Sequence, residues 1–195
     1  MKKQTILALA IATIIVAASA DPAMAYVLLS PRRTWASTPV NVPVYSAGNN
    51  SINDGSGGVN AVVNAIKTWG VVNSSVTNQA AVRGQAPATI TLNSNGHICS
   101  GSCLAATLTG YYTGGTITDA DVYTNTKYKY YSSGEADGCS AEYDIEGIMV
   151  HEVGHVIGIG HSNVSGATMY PSVAACNAGN RSLEADDIAA KNDLY

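Results

Sequence analysis

The chain of 195 residues carries ten lysines and arginines against fourteen aspartates and glutamates, a formal net charge of −4, and has no basic cluster. That balance argues against nucleic acid or an anionic membrane as a partner. The length suits one domain with a sizeable core, and four cysteines suit an oxidising compartment.

Residues 1–25, MKKQTILALAIATIIVAASADPAMA, read as a secretory signal peptide. Lys2 and Lys3 precede an apolar run from Ile6 to Ala18, Pro22 breaks it, and Ala23-Met24-Ala25 is a small-x-small cleavage site. The run is shorter than the about 20 residues that a spanning helix needs. A cut after Ala18-Ser19-Ala20 competes, but Pro22 just upstream favours cleavage between Ala25 and Tyr26. No cysteine follows either cut, so no lipid anchor is expected. Cleavage leaves residues 26–195, 170 in all, as one domain. Losing Lys2, Lys3 and Asp21 takes the ten basic and fourteen acidic residues to eight and thirteen, a net charge near −5. The expected location is secreted, extracellular or periplasmic.

Val40–Tyr45 alternates valines with Asn41, Pro43 and Tyr45 and predicts a strand, with Pro43 suggesting a place near a sheet edge. An Asn/Gly/Ser-rich loop over residues 46–58 follows. Val59, Val62, Val63, Ile66 and Trp69 then fall at helical spacing, predicting an amphipathic helix that ends at Gly70. Ala88–Leu92 and Gly115–Tyr123 read as strands, with a weaker one over Leu104–Leu108 between them. The tyrosines of Lys127-Tyr-Lys-Tyr-Tyr131 lie beside a Ser/Gly turn and read as ordinary surface. Asp144 can cap a helix running from Ile145 to about Ile157, and Ser182 a last helix over Leu183–Leu194.

The cysteines are Cys99, Cys103, Cys139 and Cys176, which allow three pairings. Cys99-Ser-Gly-Ser-Cys103 can close a tight loop, which favours Cys99 with Cys103 and Cys139 with Cys176. Their spacing fits a four-cysteine zinc site poorly.

Three of the four histidines fall within His151-Glu-Val-Gly-His-Val-Ile-Gly-Ile-Gly-His161. On a helix, His151 and His155 project from one face and can reach one ion at roughly 2 Å. Glu152 lies one position round, placed to take a proton from water without filling a coordination position. Gly158 and Gly160 can end the helix and turn the chain, bringing His161 back as a third nitrogen. Three protein nitrogens leave a fourth position open, the pattern of one catalytic zinc. The eleven-residue form is far more specific than a bare HExxH.

The motif resembles the extended zinc motif of the metzincin metalloproteases. Ser162 after the third histidine and Ala167-Thr-Met169-Tyr170-Pro171 resemble the matrixin branch, where Met169 would lie in a Met-turn as an apolar floor under the zinc. Tyr26-Val-Leu-Leu with Trp35 resembles the start of a mature matrixin domain. Leu104-Ala105 resembles the edge strand along which substrate lies, and Leu183–Ile188 with Leu194-Tyr195 resembles the closing helix. The resemblance implies an α+β fold with a twisted, mostly parallel sheet, an active-site helix, a Met-turn and a C-terminal helix.

It also implies a monomeric zinc endopeptidase acting on protein or peptide substrates, with Glu152 as general base. Leu104, Ala105, Tyr170 and Pro171 would border the substrate. Gly147, one turn before His151, is expected to leave the pocket deep. Only His97 lies outside the motif, so a second zinc is not expected, and a Cys99–Cys103 bridge would stiffen that region instead. Asp119 and Asp121 are calcium candidates, although two acids in a strand-like stretch are more often solvated, and calcium stays open. No inhibitory propeptide is expected, so signal cleavage itself would release a Tyr26 ammonium able to pair with Asp186 or Asp187. The competing reading is a secreted binding or adhesion module with a structural zinc, which would have no use for a base at Glu152.

Overall fold

The computed structural model describes residues 25–82, 88–94, 102–132 and 139–195. Residues 1–24 of the expected signal peptide lie outside these residues, as do His97, Cys99 and the expected Cys99–Cys103 bridge.

Valine-rich β1 (Val40–Tyr45) turns Val42 and Val44 into the core and pairs in parallel with β2 (Val72–Thr77) along its whole length. On its other side β1 meets β3 (Ile90–Ser94), which is parallel to β5 (Ile117–Asn125), and β4 (Ala105–Tyr111) closes the sheet antiparallel to β5. The order is β2-β1-β3-β5-β4, mostly parallel with an antiparallel edge. This matches the expected sheet but moves β1 inward from the edge suggested by Pro43. The proline is tolerated because pairing with β3 is confined to Val44 opposite Ile90, so no ladder bond on that side calls for its missing N–H. The strands expected at Ala88–Leu92, Leu104–Leu108 and Gly115–Tyr123 begin one or two residues later than read.

Helix α1 (Val59–Thr68) buries Val59, Val62 and Ile66 and is followed by Trp69, as the spacing predicts. It lies against α2 (Ile145–Val156), and the buried Trp69 indole Nε1 donates to Val150 O of α2 at 2.8 Å. Asp144 caps α2 as expected, its Oδ2 accepting the Gly147 amide at 3.0 Å. The last helix, α3 (Ala185–Leu194), is capped by Glu184 rather than Ser182. Glu184 and Asp187 form a reciprocal capping box, which satisfies two orphan amide donors where a lone serine would satisfy one. Two short strands, β6 (Tyr130–Tyr131) and β7 (Tyr143–Asp144), pair in parallel just before α2.

The tyrosine-rich stretch is not ordinary surface throughout. Tyr130 and Tyr131 are buried, and the Tyr130 hydroxyl lies 2.7 Å from both Leu104 O and Asn125 O, pinning the start of β4. Asp121 is fully buried and accepts the Thr89 amide at 3.2 Å, so it is a core acceptor rather than a solvated acid. Among the described residues no helix is long and apolar enough to cross a membrane.

Candidate metal centre

Helix α2 carries His151, Glu152 and His155, and the four-residue spacing sets the two imidazoles on one face. The helix then stops at Ile157, and Gly158 takes φ +99. Several elements fix the turn that follows. Leu28 bridges Ile159, the Leu29 amide donates to Gly158 O at 3.0 Å, and the Gly160 amide donates to Val27 O at 2.6 Å. The Trp35 indole donates to Val156 O at 2.8 Å and the Tyr195 hydroxyl to Ile157 O at 2.9 Å. The segment resembling a matrixin start thus serves as a strand-like clamp on the turn that returns His161.

The three imidazoles form a nearly even triangle, with ring centroids 4.8, 4.9 and 5.2 Å apart. Their candidate donor atoms all lie within 4.8 Å of one another. His151 Nδ1 is 2.7 Å from Thr168 O, and His155 Nδ1 is 2.7 Å from Ile159 O. A carbonyl only accepts, so each Nδ1 carries the hydrogen and each Nε2 keeps a lone pair for an ion. Burial and the charge of His151 and His161 push His155 down to about 3, and burial with His151 lowers His161 as well. Neutral, pre-oriented nitrogens are the state a metal requires. Among the described residues this trio is the group that could hold a metal, and its donor set fits zinc.

Met169 is fully buried in a turn after the histidine motif, and its backbone O accepts the Ser162 amide at 2.8 Å. Asp187 of α3 holds that turn by accepting the Thr168 amide at 2.8 Å and the Met169 amide at 3.0 Å. Since Thr168 O meets His151, a chain of contacts runs from α3 through the turn to the first imidazole. A Cβ built on Gly154 would stand 2.2 Å from Met169 Sδ and 2.9 Å from Trp69 Cζ2. The methionine tip is flexible, but it is enclosed and has nowhere to go. Gly154→Ala is expected to cost about 1–3 kcal/mol of stability through overpacking. In a double-mutant cycle with Met169→Ala the two losses should be less than additive in thermal unfolding, because removing the methionine tip frees the space that the new methyl needs, whereas strict additivity would show that the contact is unimportant.

Glu152 is buried beside the trio, and burial pushes its carboxyl up, opposed by His151 and by the Thr107 hydroxyl. Thr107 Oγ1 lies 2.5 Å from Glu152 Oε2. No motif marked Thr107, because the pair is 45 residues apart in sequence and meets only when β4 packs on α2.

An open cleft of about 620 Å³ runs between β4 and the segment after the Met169 turn. Leu104, Ala105, Tyr170 and Pro171 all line it, together with the trio and Glu152. Leu104 O is already engaged by the Asn125 amide at 2.8 Å and by Tyr130. Gly147 also lines the cleft, but it does not simply deepen it. A Cβ there would meet Asp144 Oδ2 at 3.1 Å and Asn180 Cβ at 3.4 Å, so the space is taken up by a close approach of the 3-10 turn Gly179–Arg181. Arg181 anchors that turn, its guanidinium bonding both Asp144 oxygens at 2.6 and 2.7 Å. A disulfide between Cys139 and Cys176 ties the far wall to the segment before α2, one of the two pairings expected.

At the other end, Asp186 Oδ1 accepts the Ala25 amide at 2.9 Å and its Oδ2 accepts the Ser162 hydroxyl at 2.6 Å. Of the two acids considered for a terminal ammonium, Asp186 faces the N-terminal segment and Asp187 is committed to the Met169 turn.

The matrixin family model matches residues 47–195. Among curated proteins, the chain is 41% identical over 56 residues to Metalloendoproteinase 4-MMP of Arabidopsis thaliana, covering 29% of this chain and 16% of that one. Matrilysin of Rattus norvegicus is 36% identical over 69 residues, 35% of this chain and 24% of that one. Karilysin of Tannerella forsythia is 46% identical over 52 residues, 27% of this chain and 10% of that one. The matched segments therefore span less than a quarter of each of these relatives.

Proposed function

The chain belongs to the matrixin family, and from that premise we propose that it is a secreted zinc-dependent endopeptidase in which Glu152 is the general base. The observation that carries the reading is the imidazole triangle with both Nδ1 atoms of α2 tied to carbonyls, set beside a buried carboxylate in an open cleft. His151 and His155 through Nε2, together with a ring nitrogen of His161, would hold one zinc, and the ion would supply Lewis acidity and a more acidic water.

The protein's own residues do the rest. An extended substrate lies against the edge of β4 that carries no strand among the described residues, the other edge being paired with β5, and adds backbone hydrogen bonds as a further strand. Tyr170 and Pro171 border the pocket beyond the cut. Glu152 accepts a proton as the water oxygen attacks the scissile carbonyl carbon, and later delivers it to the amine nitrogen as the C–N bond breaks.

Export follows from residues 1–25 as a signal peptide, cleaved before Tyr26. Asp186 already meets the chain at this junction, which makes it the counter-charge for a new Tyr26 ammonium. N-terminal sequencing of the exported protein is expected to begin at Tyr26.

The function is tested by incubating the purified protein with casein and a peptide library. Cleavage is expected with stoichiometric zinc, to stop on chelation, and to return when zinc is added back. Cleavage that persists at undetectable metal would remove this reading.

A further inference from the structure

Resting on Glu152 as the base, we propose that Thr107 is a positioning residue for it, fixing the carboxylate from the same strand against which substrate lies. Thr107 sits within β4, opposite Val122 of β5, on a strand that among the described residues pairs with β5 alone. Its Oγ1 is 2.5 Å from Glu152 Oε2 and 3.1 Å from Glu152 O. A hydroxyl has one hydrogen to give, and the shorter contact to a carboxylate receives it. The separation lies in the range of a charge-assisted O–H···O⁻ bond.

Two consequences follow from this geometry. The bond engages Oε2, which makes Oε1 the less encumbered oxygen for taking the proton. It also removes rotational freedom from a carboxyl group that otherwise turns about its terminal torsion. A base held in one orientation need not be reordered in each turnover, which bears on the chemical step more than on substrate binding. Because β4 presents backbone to substrate and Thr107 to Glu152, a shift of the strand moves substrate and base together.

Thr107→Val removes the hydroxyl and keeps the shape, Thr107→Ala removes both, and Thr107→Ser keeps the hydroxyl. With zinc content and melting temperature matched to the parent, Thr107→Val and Thr107→Ala are expected to lower kcat about tenfold and leave KM within about twofold. Thr107→Ser is expected to retain kcat within about twofold. Crystal structures of the valine and serine variants supply a readout independent of activity: the Glu152 carboxyl should leave its position in the first and keep it in the second. In a Glu152→Ala background, Thr107→Val should cause no further loss of residual cleavage. Parental kcat in the valine variant, an equal loss in the serine variant, or a Glu152 carboxyl unmoved by valine would overturn the role of Thr107. The base assignment fails separately, if Glu152→Ala itself keeps parental kcat.

Discussion

Glu152→Ala is expected to lower kcat/KM roughly a thousandfold while zinc stays bound at one per chain. The size reflects loss of a positioned base, and the retained metal reflects that Glu152 is outside the imidazole triangle. Stability should change little, and the structure gives the reason. Removing the carboxyl withdraws a group whose burial already disfavours its charge. It leaves the Thr107 hydroxyl in need of an acceptor, and Glu152 O stands 3.1 Å away on backbone that alanine preserves. Steady-state cleavage of one fluorogenic peptide, metal analysis and thermal unfolding on the same sample decide the matter. Cleavage within tenfold of the parent would show that another group moves the proton.

Gly158→Ala is expected to damage the fold and the metal site together. An alanine at φ +99 is strained, at about 1–3 kcal/mol. Its Cβ would also stand 2.1 Å from the Arg33 carbonyl oxygen, which is backbone and cannot rotate away. The combined cost is about 4 kcal/mol, corresponding to a fall in melting temperature of roughly 8–16 °C for a domain of this size. Relief requires the Arg33 backbone and the turn after Gly158 to move apart, which disturbs the segment that returns His161 to the other two imidazoles, so zinc affinity should fall as well. Gly70→Ala is the control. Gly70 has φ +72 with nothing within 4 Å of a built Cβ, so it registers backbone strain alone, about 1–2 kcal/mol. Equal losses at the two positions would mean that contact with Arg33 is unimportant.

The parts of the fold written in short-range periodicity were legible in the sequence. Val59 to Trp69 at helical spacing gives α1, Asp144 gives the start of α2, and the histidine spacing gives the triangle because helix geometry fixes i and i+4. What escaped depends on partners distant in the chain. β2 is an edge strand whose Asn73, Ser74 and Ser75 carry no apolar alternation, and its parallel register with β1 supplies what its own residues do not. Glu184 outcompetes Ser182 because Asp187 returns the bond. Tyr130 is buried because its ring joins the core while its hydroxyl reaches the Leu104 and Asn125 carbonyls, distant partners that composition near a turn does not reveal. Thr107 belongs to the same class. Its chemistry exists only where a strand from one part of the chain meets a helix from another. The pairing of Cys139 with Cys176 was favoured by spacing, but it is the approach of the two segments across the cleft wall that singles it out from the alternatives.

That covalent tie bears on how inhibition patterns are to be interpreted. Its sulfurs belong to the scaffold of one rim, while the atoms that would grip the ion are all nitrogen. A phosphine reductant that does not strip metal should therefore loosen the rim and alter which peptides are accepted, with the ion still in place. Diminished hydrolysis under such treatment would be a sign of slackened architecture, and would be misread if it were attributed to a thiol nucleophile.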